Sequence, residues 1–265
     1  MPMIHIRDGV DIHYEDHCFV APWRECETVL MIHGIAESGV AWTEWVPPLS
    51  AHYRMLRPDL PGFGRSPVPE TYSWSAGELA DDLIALMDKL GVERFHVVGA
   101  KYGGTVSMVL ASKAGKRLRS LSLLGAPHKG DGVGAFPKRV SEIGVAGWAG
   151  ETQRSRLGPE ASDAQVDWWT HQLMGKSDAR PTMGASGWRA KMQELDKELR
   201  AITAPTLVIT TEESGLQSVE TARGYQEKIP NSRLVVMPGK AYHVAVVRPQ
   251  ECAGQVLEFM ASDGT

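Results

Sequence analysis

The chain has no long apolar run. Nowhere do about 18 uninterrupted apolar residues occur, the length a membrane-spanning helix needs. Cysteine is scarce: Cys18, Cys26 and Cys252 form no CxxC pair and are odd in number. That argues against a disulfide framework or a cysteine zinc site, and it fits a reducing cytoplasm. Excess charge of one sign is missing too. A net charge of -4, dispersed through mixed sequence, provides neither a polybasic patch for nucleic acid nor an acidic tail. No HxxxH pair or carboxylate cluster has metal-ligand spacing, so no metal and no cofactor are expected. The opening stretch MPMIHIRDGVDIHYE lacks a basic segment followed by an apolar one, so no secretory signal is expected. There is no internal repeat.

What is present reads as one α/β domain. At 265 residues, 43% hydrophobic and 23% charged, the chain can bury a large core. Ile4, Ile6, Val10, Ile12 and Tyr14 alternate around Asp8-Gly9, which predicts a hairpin. TVLMIH (28–33), YRMLRPDLPG (53–62), FHVVG (95–99), SLSLLGAP (120–127), PTLVIT (205–210) and RLVVMPG (233–239) read as further strands, several buried on both faces. Ser75 to Leu90 has helical periodicity, a Ser75–Glu78 capping box and Gly91 past its end. Helices are also expected over 103–114 and 249–260, the latter with Pro249 in its first turn. Strands and helices alternate, which predicts a mostly parallel sheet covered by helices on both faces.

Residues 128–200 break this rhythm. They contain no clear buried strand, yet hold Trp148, Trp168, Trp169 and Trp188, four of the eight tryptophans. The division predicted is a core over 1–127, a helical lid over 128–200, and the rest of the core over 201–265. The lid would cap the C-terminal edge of the sheet, where α/β folds bind ligands.

The stretch VVGAKYGGTV (97–106) joins a strand to a helix through a glycine-rich turn of the pattern G-x-Nu-x-G-G. Turns of this kind hold a nucleophile, normally serine, cysteine or aspartate, in a strained conformation above a parallel sheet. Here the position is Lys101. With His33-Gly34-Ile35 after an earlier strand, PGFGRS at 61–66, and a late PGKAYHVAVVRP (238–249), the chain resembles the α/β-hydrolase superfamily, in its lid-bearing branch, over about residues 4–261.

The resemblance implies an oxyanion hole formed by the amides of Ile35 and Tyr102, a small carbonyl-containing substrate, and a catalytic histidine in the late loop. His243 is the candidate, although the usual histidine column falls on Tyr242. The family's acid position falls on Ser214, so the neighbouring Glu212 and Glu213 are the candidate acids. Gly34, Glu37, Ser38, Trp148, Trp168, Trp169 and His128 are candidate substrate-binding residues. His33 is expected to brace its loop, His96 to be a core residue, and Arg65 and Ser66 to shape theirs.

Three roles are open for Lys101. Burial and the adjoining helix N-terminus favour a neutral amine, suited to nucleophilic attack or to general-base catalysis. Alternatively the ammonium stays charged, paired with Glu37 or anchoring a substrate carboxylate; Ser38 is then a fallback nucleophile. The expected function is a cofactor-free hydrolase or lyase for an aromatic or cyclic keto, ester or lactone compound. The alternative is a non-catalytic protein of the same fold that binds a carboxylate or phenolate, with a cofactor-independent oxygenase more distant. Expected partners are a small molecule and, as a candidate, a second copy of the chain; nucleic acid and membrane are not expected.

Overall fold

The eight expected strands form one sheet in the order β1-β2-β4-β3-β5-β6-β7-β8. The computed structural model describes residues 2–130 and 136–262, so residues 131–135, inside the expected lid, lie outside the described residues. The strands are β1 Met3–Arg7, β2 Val10–His17, β3 Thr28–Ile32, β4 Arg54–Pro58, β5 Phe95–Ala100, β6 Leu118–Leu124, β7 Thr206–Thr211 and β8 Ser232–Met237. The pairs β1–β2 and β2–β4 are antiparallel, and every later pairing is parallel.

β3 shows why the run TVLMI contains no polar alternation. Val29 and Met31 enter one core cluster with Trp45 and Phe259, while Leu30 and Ile32 enter the other with Leu79 and Leu83. Both faces are covered by helices, so both sets of side chains must be apolar.

The helix Ala76–Lys89 follows the predicted boundaries, with one difference at its start. Ser75 Oγ accepts the Glu78 N–H at 3.1 Å, but the Glu78 carboxylate turns to the Ser73 N–H at 3.0 Å and to Arg7. The capping box is therefore half formed, because Arg7 on β1 draws the carboxylate outward. Burial of Leu79, Leu83 and Leu86 at about 1.5–3 kcal/mol each outweighs the roughly 1 kcal/mol of a cap.

The order of strands fixes where loops converge. The chain leaves β3 for β4 on one side and later returns to β5 on the other, so β3 and β5 straddle a topological switch point. The loops after their C-terminal ends part there and leave a crevice. The turn after β5 requires its glycines: a Cβ on Gly103 would lie 2.2 Å from the Ile32 carbonyl oxygen and 2.4 Å from that of His33. Helix Tyr102–Ala114 consequently lies directly on the end of β3.

Between β6 and β7 come helices Phe136–Leu157, broken at Gly144, then Asp163–Trp168, Ala179–Lys191 and Asp196–Ala201. A π-helical turn at Trp169–Leu173 follows the second. No helix among the described residues is long and apolar enough to cross a membrane. Replacing Gly103 with alanine should cost about 3 kcal/mol or more through backbone overlap. Urea denaturation checks this, and an unchanged midpoint would contradict the close approach.

Candidate active site

Two loops at the switch point supply the centre. In the first, the Leu60 N–H donates to His33 Nε2 at 2.8 Å, which leaves His33 Nδ1–H to donate to the Gly34 carbonyl at 2.7 Å. Burial lowers the His33 pKa, consistent with this neutral tautomer. His33 braces the loop and holds no bond to spare for chemistry. The loop then passes through Ala36, a non-glycine residue at φ 61°. In the second loop Lys101 has φ 54° and ψ -123°. Such backbone costs about 1–3 kcal/mol per residue, and two of the three described non-glycine residues with positive φ, Ala36 and Lys101, border one site.

Between these loops lies Glu37, whose side chain is fully buried. Its Oε2 accepts the Gly34 N–H at 3.0 Å. Its Oε1 pairs closely with Lys101 Nζ and lies 3.1 Å from His243 Nε2. The histidine contact has ion-pair distance but not hydrogen-bond alignment. Burial pushes the Glu37 pKa upward, yet Lys101 and His243 prevail and hold it well below the usual carboxylate range.

Burial lowers the Lys101 pKa against the opposing pull of Glu37. His243 falls to about 4, through burial first and the neighbouring ammonium second. At neutral pH the trio is therefore a carboxylate, its ammonium partner and a neutral imidazole. The His243 ring packs edge-on against Trp169 at 5.0 Å, and its Nδ1 has no hydrogen-bond partner among the described residues.

Above Lys101 is a cavity of about 550 Å³. Ile35, Lys101 and Tyr102 line one side; Phe136, Trp148, Arg156 and Arg189, from the helices between β6 and β7, line another. Tyr102 opens its helix, so its amide has no acceptor in a preceding turn. The predicted Ile35, Lys101, Tyr102 and Trp148 thus line the same cavity. Glu37 and His243 lie directly behind Lys101, and Gly34 leaves room for the lysine, since a Cβ there would be 3.0 Å from Lys101 Cε.

Other expectations are redirected. Glu212 and Glu213 do not reach His243. Their backbone N–H groups bond to Met237 and Gly239 at the end of β8, which turns both side chains outward, and Glu213 pairs with Lys240 at 2.9 Å. Glu37 supplies the carboxylate instead, from the opposite side. Ser38 caps the 3₁₀ turn Gly39–Trp45 and does not line this cavity. His128 bonds to Glu194 at 3.1 Å and stacks by Tyr225, so it is a structural residue. Trp168 and Trp169 border a separate surface groove, Trp169 with its ring on His243.

Tyr242, at the usual histidine column, lines the cavity. Arg156 and Arg189 were not foreseen: each lies in a helix of mixed polarity without a motif to single it out. Among the described residues no group of three or more histidine, cysteine or carboxylate side chains could hold a metal.

The sheet, the strained turn and the two converging loops are those of the α/β hydrolases. The family model described as alpha/beta hydrolase fold matches residues 27–154. The 2-hydroxymuconate semialdehyde hydrolase of Pseudomonas sp. (strain CF600) is 32% identical over 249 residues, covering 88% of this chain and 86% of that one. The 2-hydroxy-6-oxo-2,4-heptadienoate hydrolase of Pseudomonas putida is 24% identical, covering 89% of each. The enol-lactonase from Burkholderia xenovorans LB400 shares the fold, with a TM-score of 0.86 at 18% identity over 98% of this chain and 100% of that one. The chain belongs to the α/β-hydrolase family. It is an α/β hydrolase with lysine at the centre of the glycine-rich turn after β5.

Removing Lys101 should strand the Glu37 charge. Lys101→Met is expected to cost about 3–5 kcal/mol of stability, and adding Glu37→Gln to restore part of it. Strictly additive losses in urea melts would contradict the pairing.

Stability should also depend on acid. His243 binds a proton below about pH 4 when folded but near 6.5 when unfolded, so the unfolded chain takes up more protons as pH falls between them. Stability is full above about 6.5 and drops by about 3 kcal/mol towards pH 4. Glu37, with its lowered pKa, adds a loss of the same sign below its unfolded value of 4.5. His243→Gln should flatten the upper part of this slope; an unchanged slope would locate the proton uptake elsewhere.

Proposed function

We propose that the protein is a cofactor-free hydrolase of small carbonyl compounds in which Lys101 takes the place of the serine, and Glu37 and His243 manage its proton. The observation that carries this reading is that one oxygen, Glu37 Oε1, touches both Lys101 and His243. Moving a proton from Lys101 across that carboxylate to His243 replaces one buried ion pair by another. The net charge of the trio does not change. The repulsion that lowers His243 disappears with the transfer, and a neutral amine is left facing the cavity.

In this account the substrate carbonyl oxygen sits on the amides of Ile35 and Tyr102. The neutral amine takes a proton from water as its oxygen bonds to the carbonyl carbon. The tetrahedral intermediate then expels its leaving group, which receives the proton back from the Lys101 ammonium. The names of the two Pseudomonas relatives, hydrolases of an oxo-dienoate and of a semialdehyde, support hydrolysis of a small carbonyl compound. Residues 128–200 would be the lid, since Trp148, Arg156 and Arg189 from this stretch face Lys101 across the cavity. Aromatic walls from Phe136, Trp148 and Tyr242 favour an aromatic or cyclic substrate. The cytoplasm is the compartment proposed, on the scarcity and odd number of cysteines in the sequence. A homodimer is the candidate assembly.

A panel of aryl esters, lactones and vinylogous diketones tests the function, with cyanoborohydride added to trap any imine. Turnover should fall about 10²–10⁴-fold in Lys101→Met, with no adduct on Lys101 in the wild type. A trapped adduct would make Lys101 the nucleophile. Binding of panel members without turnover would make the protein a non-catalytic binder.

A further inference from the structure

The cavity holds a second buried cation that the chemistry above does not use. Arg156 is 7% exposed and projects from helix Phe136–Leu157 into the same space as Lys101. Its guanidinium carbon lies 3.6 Å from the centroid of the Trp148 ring. Its Nε donates to Thr152 Oγ1 at 3.0 Å, and Nη1 has only the Met174 sulfur at 3.8 Å. Among the described residues no carboxylate lies within ion-pair distance of it. Buried arginine is ordinarily paired, since taking a charge out of water is costly. Among the described residues no aspartate or glutamate lines the cavity, whereas Lys101, Arg156 and Arg189 do, in a chain of net charge -4.

We infer that Arg156 is an anion anchor, and that the molecule accepted in this cavity carries a carboxylate in addition to the carbonyl presented to Lys101. Lys101 has its counter-ion in Glu37; Arg156 has none among the described residues and gains one from the ligand. The planar guanidinium, fixed face-on to Trp148, presents its outer N–H groups in the fork that matches a carboxylate. Phe136, Trp148, Leu216 and Tyr242 offer apolar walls for the body of such an acid. The anchor is also tied to the reaction centre, because the His243 N–H donates to the Arg156 carbonyl at 3.3 Å. The substrate class is thereby narrowed to oxo-carboxylic acids or their esters and lactones with a free acid group. This rests on the reading of the cavity as the substrate site.

The test compares benzoate with benzamide, its neutral counterpart, by calorimetry on the wild type and on Arg156→Met, which keeps packing against Trp148. Benzoate should bind at least about tenfold more tightly than benzamide, a difference of about 1.4 kcal/mol. Arg156→Met should abolish that preference while leaving benzamide affinity unchanged, which also reports an intact fold. Lys101→Gln should retain most of the preference. Equal binding of the two probes by the wild type would overturn the inference, as would a preference that survives in Arg156→Met or disappears only in Lys101→Gln. Should Arg156→Met not fold, Arg156→Lys decides: loss of the stacked fork should cut the preference several-fold, and an unchanged preference would overturn the inference. Because these readings need no turnover, they stand if the hydrolase reading fails. Conversely, turnover of an ester bearing a free acid group with undiminished kcat/KM in Arg156→Met would remove the anchor and leave Lys101 chemistry in place.

Discussion

A carboxylate sealed from water cannot stand alone, and the site is arranged around that fact. Glu37 is fully buried, so its charge is sustained by the Lys101 ammonium, by the Gly34 amide and by the nearby His243 ring. Each partner comes from a different part of the chain: the loop after β3, the turn after β5, and the loop after β8. The interaction therefore ties together three segments that the sheet merely brings near one another. It also explains why a residue as large as lysine is retained at the turn, since its removal would orphan a buried charge.

The sheet supplies the geometry that makes this pairing available. Because the chain departs from β3 in one direction and resumes at β5 in the other, two loops open at adjacent strand ends. Gly103 lets the helix after β5 rest against β3, and Lys101 and Ala36 accept left-handed backbone there. Two of the three non-glycine residues with positive φ among those described thus lie where the charges meet, the third being Trp74. Farther from the centre, the π-helical turn beginning at Trp169 places an indole against the His243 ring. That ring is thereby dry, which lowers its proton affinity and keeps it an acceptor.

The fold was legible because burial leaves strong marks. Runs such as TVLMI and FHVVG have no polar alternation, and the glycines of GAKYGG can be read as points of close approach. Lys101 was legible as an anomaly within a recognisable turn, and Ile35 and Tyr102 by their offsets from it. The acid was not. Glu212 and Glu213 occupy plausible places along the chain, but their backbone bonds to the end of β8 turn them to solvent. Glu37 was legible only as a partner for Lys101, because its approach to His243 spans 206 residues of separation, from 37 to 243. Arg156 had no local signature at all: its meaning depends on Trp148 one helical face away and on a cavity that appears only when the helices are placed.

The central claim is that Glu37 shares its charge with Lys101 and thereby sets when that amine becomes neutral. The measurement that tests it most directly is reductive methylation with ¹³C-formaldehyde across pH 6–10, read at Lys101 by peptide mass spectrometry against the other ten lysines. Burial lowers the Lys101 pKa and Glu37 opposes it, so Lys101 should react at lower pH than the others. Its onset should move lower still in Glu37→Gln. Reaction of Lys101 only in step with the bulk lysines, with an onset indifferent to Glu37→Gln, would contradict the account.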